Sequence, residues 1–296
     1  MFVQTQLDDL AIALYVEIDD LFVHLDARPH LGRPPEITDP EIVCLAVSQV
    51  LLGFNSERRW LRFAHQRLGH LFPYLPKQPA YNKRLRKAAR LFAHAIRHLA
   101  SLTPSWWDQL RLLDSTPVPC GASRETVKRS DLAGWAHYGY CASHSRYFWG
   151  LRLHLLTTPD GAVTAWALAD PKLGDREVAQ AMLELAPPRP GLVIVADKGY
   201  AGHDFEDFVR ELQALVVRPD RRDEPRRHGN LAWIRQRIES VNDTLKGQLG
   251  LEQHGGRTQL GVFVRVAQRL LALTAGVWHN WLIDAPCKRS LVAYDH

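Results

Sequence analysis

The sequence predicts an α/β protein in which a mixed sheet with helices on both faces follows an all-helical N-terminal part. Three observations carry this. Before about residue 105 the apolar residues recur at helical spacing between proline-rich corners. From Trp106 onward, short β-rich runs replace them. The later runs are separated by helical segments, as parallel neighbours in one sheet require, whereas the second and third are joined by a tight turn. The expected division is a helical domain over 1–105 and an α/β domain over 106–296.

In the first part, Leu7, Leu10, Leu14, Ile18 and Leu21 keep helical spacing, and the corner Leu31-Gly-Arg-Pro-Pro35 ends that unit. Asp39-Pro40-Glu41 supplies a cap, a proline at the first helical position and an acidic first turn for a helix running to about Phe54. A short helix over Ser56 to Leu68 follows, then a connector punctuated by Pro73, Pro76 and Pro79. The last helix, Tyr81 to Leu99, groups Lys83, Lys87, Arg90 and Arg97 on one face, apart from Leu85, Ala88, Ala89, Phe92 and Ile96. Such a helix packs on one side and meets a polyanion on the other; an ordinary solvated basic face fits the same spacing.

In the second part, Leu110 to Val118, Trp149 to Thr157, Val163 to Leu168, Leu192 to Ala196 and Leu215 to Val217 read as strands. Pro159-Asp160-Gly161 marks a hairpin turn. Glu177 to Leu185 and Asp204 to Gln213 read as crossover helices, and Thr258 to Ile283 as a long closing helix over the sheet. The organising element is a helix from Leu231 to Gly250. Ile234, Ile238, Val241 and Leu245 form its core stripe, and roughly a quarter turn away Ala232, Arg235, Glu239, Asn242 and Lys246 form a second one. A carboxylate set between two cations beside a core stripe points to a site.

At 296 residues and 46% hydrophobic, the chain can bury a sizeable core and is not a disordered protein. A net charge of +5 and a pI of about 9.1, carried mostly by arginine, favour a polyanionic partner. Cys44, Cys120, Cys141 and Cys287 follow no framework spacing, and the N-terminus has no basic region before an apolar run, so reduced thiols and a cytoplasmic location are expected. The apolar stretch Gly261 to Trp278 is interrupted by Arg265, Gln268 and Arg269, so no membrane segment is expected.

The run ending Leu113-Asp114-Ser115 and the run ending Ala196-Asp197-Lys198-Gly199 each finish on a carboxylate. If these strands are neighbours, Asp114 and Asp197 approach, and a helix packed over that edge adds Glu239. Three such carboxylates repel one another unless a cation sits among them, and hard oxygen ligands select Mg²⁺ or Mn²⁺. Two such ions serve in-line displacement at a phosphodiester. The chemistry expected is phosphoryl transfer.

Asp114-Ser115 after a strand, Asp197-Lys198-Gly199-Tyr200 after another, and Arg235, Glu239 and Lys246 on a helix resemble the catalytic domain of bacterial insertion-sequence DDE transposases, over roughly 110 to 280. The resemblance implies an RNase H-like fold, with Asp114, Asp197 and Glu239 as catalytic metal ligands for two Mg²⁺ or Mn²⁺ ions. It implies that Arg235 and Lys246 contact phosphates of the element end. Lys198 either touches DNA or balances charge. Lys83, Lys87 and Arg90 extend the expected DNA surface. The implied reaction cuts at the element end to free a 3′-hydroxyl, which then attacks a target phosphodiester, with no covalent enzyme intermediate. The implied partners are double-stranded DNA, as terminal inverted repeats and target, and a second copy of the chain on DNA. The competing expectations are an RNase H-like nuclease or resolvase without strand transfer, and an inactive DNA-binding derivative. One departure stands out: the family's helix carries Tyr where this chain has Ala232, beside Trp233. The short interval between the last strand and the Glu239 helix leaves no room for the β-rich insertion of some relatives.

Weaker signals remain. His137, Cys141 and His144, with Cys120 upstream, match no standard zinc spacing, and the segment Lys128 to Trp149 is Tyr- and Ser-rich, as suits an excursion between strands. His154 alternates with Arg152 on its strand and is read either as a neighbour of the acidic site or, preferably, as an ordinary sheet histidine. The arginine-rich loop Arg218 to His228 is either solvated or ordered by DNA.

Overall fold

The computed structural model describes residues 6–24, 35–141, 145–220 and 231–294, with the side chains at 23, 24, 232, 233 and 235 outside that description. By internal contacts the chain forms two compact units: Met1–Leu99 with Gly247–Gly256 and Leu260–His296, and Ala100–Lys246 with Arg257–Gln259.

The first unit is helical: α1 (Gln6–His24), α2 (Asp39–Leu51), α3 (Glu57–Arg67), α4 (Gln78–Lys87), α5 (Ala89–Ser101) and, across the chain, α10 (Gln259–Leu282). Leu10, Leu14 and Ile18 of α1 are fully buried, as their spacing predicts. The cap of α2 is Thr38, one residue before the expected Asp39; its side chain accepts from the Glu41 amide while Glu41 reaches back to the Thr38 amide at 2.6 Å. The helix expected over Tyr81 to Leu99 is two helices, broken at Ala88, where the backbone turns to φ −78°, ψ 3°. Nothing local forces this, since alanine is the best helix former. The break lets Tyr81 and Leu85 of α4 and Phe92, Ala95 and Ile96 of α5 all bury. Lys83 and Lys87 therefore sit on α4 while Arg90 and Arg97 sit on α5, which corrects the single basic face.

Helix α10 is long and apolar enough to cross a membrane, yet 78% of that stretch is buried. It belongs to this unit as its core helix. Its polar residues are satisfied inside: the Gln268 amide donates to the Ala46 carbonyl at 2.9 Å and to Gln49 Oε1, which also accepts from the Tyr81 hydroxyl at 3.0 Å. Arg265 pairs with Glu57, which also accepts from Asn82 and Gln78. These bonds hold α2, α3, α4 and α10 in one register, because each group left unpaired in the interior would cost about 1–3 kcal/mol.

The second unit is built on a six-stranded mixed sheet: β1 (Leu110–Gly121), β2 (His137–Cys141), β3 (Arg146–Thr157), β4 (Val163–Ala169), β5 (Val193–Val195) and β6 (Leu215–Val217). The order is β2-β3-β1-β5-β6, with β4 beside the far half of β3. β1, β3 and β4 form the expected antiparallel meander, and β5 and β6 are parallel to β1 after helical crossovers, the RNase H-like arrangement. Between β3 and β4 the chain reverses at Thr158, whose hydroxyl accepts from the Ala162 amide, and Gly161 takes φ +94°, which a side chain would disfavour.

Successive strand residues alternate between two faces. Leu113 and Leu156 pack with Ala179, Met182 and Leu183 of α7 (Asp175–Leu185) and with Phe205 and Val209 of α8 (His203–Glu211). On the opposite face, Leu112 and Val195 pack against Ile234 and Ile238 of α9 (Ala232–Lys246). The organising helix thus lies where its stripe predicts, though it ends at Lys246, before Gly250 turns left-handed at φ +58°. Two elements were not expected, α6 (Arg124–Arg129) and the edge strand β2. On β2 the buried positions are Gly139 and Cys141 and the exposed ones are Tyr138 and Tyr140, so size and hydropathy run against the usual alternation.

Candidate active site

Asp114 and Asp197 meet because β1 and β5 are parallel neighbours. Leu112 stands opposite Val195, and each aspartate lies two residues further along its strand direction. Asp197 leaves β5 as the cap of a short 3-10 turn over Lys198–Tyr200, its Oδ1 accepting from the Gly199 amide at 2.7 Å. Asp114 is the more enclosed of the two, and its Oδ2 accepts from Asn242 Nδ2 of α9 at 2.6 Å. Burial pushes the Asp114 carboxyl up to about 6, and the charges of Asp197 and Asp175 add to this; bonds from the Ser115 backbone and from Asn242 oppose it.

Glu239 lies one turn before Asn242 on α9, with its side chain exposed. Among the described residues, no three of His, Cys, Asp and Glu stand grouped tightly enough to hold one ion. The strands therefore bring Asp114 and Asp197 together, while Glu239 sits on the same helix as the residue that touches Asp114, outside a closed ligand set. The donor chemistry still fits a hard cation: all three are carboxylates, and the charge of Asp197, which adds to burial in raising Asp114, is what a divalent ion would relieve.

Asp175, the first residue of α7, was not singled out in the sequence, where its helix was expected to begin at Glu177. Arg152 Nη1 lies 2.9 and 3.2 Å from its two oxygens, and the Ser115 hydroxyl donates to it at 3.1 Å. A Cβ added at Gly199 would stand 2.9 Å from Asp197 Oδ1 and 3.5 Å from Asp175 Oδ2, so the two carboxylates flank that glycine. The Tyr200 hydroxyl is enclosed near the same three aspartates, and burial first, then their charges, hold it well above the usual tyrosine range. The only signal for these partners was local: Ser115 follows Asp114, and Asn242 lies on the Glu239 stripe.

His154 is fully buried opposite Ser115, on the α7 face of the sheet rather than the Asp114 face. Neither ring nitrogen has a hydrogen-bond partner, the Nε2 lies 4.0 Å from Asp175, and burial pushes its pKa down, which keeps it neutral.

Of the expected DNA contacts, Lys198 is exposed beside Asp197 and Lys246 is half-buried at the end of α9. The Arg235 side chain lies outside the described residues. In the first unit, Lys83 and Lys87, with Arg86, Gln78 and Asn82, line an open cavity of about 520 Å³. Arg90 is exposed on α5. Of the arginine-rich loop, Arg218 is buried and paired with Glu206 at 2.8 Å, whereas 221–228 lie outside the described residues. The zinc reading finds no support: His137 Nδ1 lies 2.8 Å from Asp170, Cys120 is directed at the Val118 carbonyl, and His144 is outside the described residues.

Fold and site together define an enzyme-like α/β domain with one acid inside β1, which runs on to Gly121 past its expected end, and the other just beyond the end of its parallel neighbour β5. A transposase DDE domain family matches residues 107–275, and the chain belongs to that family of transposases. No matching curated protein and no matching solved structure was found. Transposases of this family act on DNA and use divalent metal ions.

Proposed function

We propose that this chain cleaves DNA at the ends of an insertion sequence and transfers the freed 3′-hydroxyl strand into target DNA. The observation that carries the reading is the pairing of Asp114 with Asp197 across β1 and β5, with Asn242 of α9 bonded to Asp114. Asp114, Asp197 and Glu239 would hold two Mg²⁺ or Mn²⁺ ions. Bound there, such ions supply charge neutralisation at the scissile phosphate and activation of the attacking oxygen. The protein's own residues prepare the site. Asn242 occupies one oxygen of Asp114 and so fixes the plane of its carboxylate. Arg152 pairs with Asp175 and so offsets part of the negative charge that Asp175 adds beside Asp114. Lys198 and Lys246, with Arg235, are assigned to phosphates of the element end, and Lys83, Lys87 and Arg90 to flanking duplex.

In this reading residues 1–105 supply a DNA-binding domain and 106–296 the catalytic one. The protein works in the cytoplasm, with no membrane partner, and as a dimer on DNA, because two ends must be joined. Incubation with labelled inverted-repeat DNA, a target plasmid and Mn²⁺ tests it. Joined products support transposition, nicks alone would mean a nuclease without strand transfer, and a shifted band alone would mean a DNA-binding derivative.

A further inference from the structure

We propose that the aromatic face of the β2–β3 hairpin docks unpaired DNA bases, as a second contact surface on the Asp114 side of the sheet. The inference rests on the DNA-processing role proposed above. Tyr138, Tyr140 and Tyr147 are 53%, 46% and 79% exposed, more than structural tyrosines require. Tyr140 stands opposite Tyr147 and Tyr138 opposite Trp149, so all four side chains share one face. The Tyr140 and Tyr147 rings pair at 5.0 Å, inclined at 54°. The reverse side of the hairpin is closed, since Gly139 lies against the Phe148 ring and Pro171.

That face is the one Asp114 uses. Asp114 stands opposite Leu155 on β3, and counting back by twos along β3 reaches Leu153, Leu151, Trp149 and Tyr147. Eight residues separate Leu155 from Tyr147, about 26 Å of strand at ~3.3 Å per residue. Leu155, Leu153, Leu151 and Trp149 between the two places are buried, so the tyrosines open to solvent only at the far end of the strand, as a contact separate from the acids. On the opposite face of β3, Arg152 binds Asp175 with one guanidinium nitrogen and the Tyr140 carbonyl with the other, at 3.1 Å, which fixes the backbone of the hairpin beneath the rings.

The chemistry of the border selects the occupant. Helix α6 carries Arg124, Lys128 and Arg129 against a single Glu125, and its Thr126 methyl and the Trp149 ring both lie within 3.2 Å of where a Gly121 Cβ would be. A basic rim beside exposed aromatic rings suits a polyanion that offers flat π faces, which is a DNA strand with unstacked bases. Duplex DNA offers the charge without the faces, and a second copy of this chain would bring the same positive charge to the interface.

The test uses the full chain and two fluorescently labelled probes, a mixed-sequence single strand of about 20 nucleotides and its blunt duplex, in chelator so that no cleavage occurs. Tyr140→Ala/Tyr147→Ala should weaken single-strand binding about tenfold or more and change duplex binding less than about twofold. Tyr140→Phe/Tyr147→Phe, which keeps the π faces, should retain wild-type binding of both. Unchanged single-strand binding by the alanine pair, an equal loss on both probes, or a loss in the phenylalanine pair matching the alanine pair would each overturn the assignment. Light scattering adds a further check: a wild-type dimer without DNA that the alanine pair abolishes would give this face to a second copy instead. Wild-type protein that binds the duplex but not the single strand overturns the docking surface alone, whereas protein that binds neither also removes the transposition reading beneath it.

Discussion

Asp114 is held in a state that the fold itself does not favour. Its carboxyl is raised to about 6, above the ordinary value of 3.8, chiefly by burial. For a group raised on folding, the protonated form is the stabilised one. The penalty is absent below about pH 4, grows as pH rises toward 6 and is complete above it. Asp114→Asn should therefore stabilise the metal-free protein at pH 8 by up to about 3 kcal/mol and much less at pH 4, because the amide oxygen still accepts from Asn242. Thermal unfolding in chelator at the two pH values checks this, and a variant less stable than wild type at both would contradict it. At the same scale, Asp175→Asn removes the charged partner of a largely buried Arg152 and should cost about 1–3 kcal/mol in urea unfolding. Adding Arg152→Met to Asp175→Asn should recover part of that loss, whereas strictly additive losses would show that the pair does not act as a unit. Asp114 and Asp197 were legible because each breaks an apolar run, though only Asp197 lies at a strand end, since β1 continues to Gly121. Asp175 was not, since an acidic residue in a helix's first turn is expected for the helix alone; only the approach of α7 to Ser115 and Arg152 gives it more to do.

Elements were legible where hydropathy and packing agree. Five strands, both crossover helices and α9 lie within a few residues of their expected places, because each alternates or repeats with the period of its structure. The edge strand β2 was missed because its large residues point to solvent and its small ones inward, and the α4–α5 break because it follows from how both helices bury, with no glycine or proline to mark it. The cap of α2 offers a test at this scale. Thr38 and Glu41 satisfy each other's backbone amides, so Thr38→Ala should lower stability by about 1 kcal/mol. A denaturation midpoint unchanged from wild type would mean that the helix start is held by other contacts.

Across the whole molecule, the chain crosses between its units more than once, returning after α9 to complete the helical unit with α10. That return is not readable from local sequence, because an amphipathic helix states that it packs and not against what. Most of the net charge of +5 falls in the helical unit, to which the exposed Lys83, Lys87 and Arg90 belong. Duplex affinity should fall with salt with a slope of about −0.9 per phosphate contacted, and Lys83→Ala/Lys87→Ala should make it shallower by about two units if each lysine meets one phosphate. A titration at several salt concentrations decides it, and an unchanged slope would return both lysines to the solvated surface.

The proposed activity requires Asp114, Asp197 and Glu239 to act as one metal-dependent centre, although no three ligands stand closely grouped among the described residues. The most direct measurement is Mn²⁺-dependent cleavage of labelled element-end DNA by wild type and by Asp114→Asn, Asp197→Asn and Glu239→Gln, with DNA binding followed in parallel. The account predicts cleavage by wild type and none by any of the three, with binding of DNA largely retained by all. Wild-type turnover by Glu239→Gln would contradict it, by removing α9's carboxylate from the chemistry and leaving the aspartates of β1 and β5 to work without it.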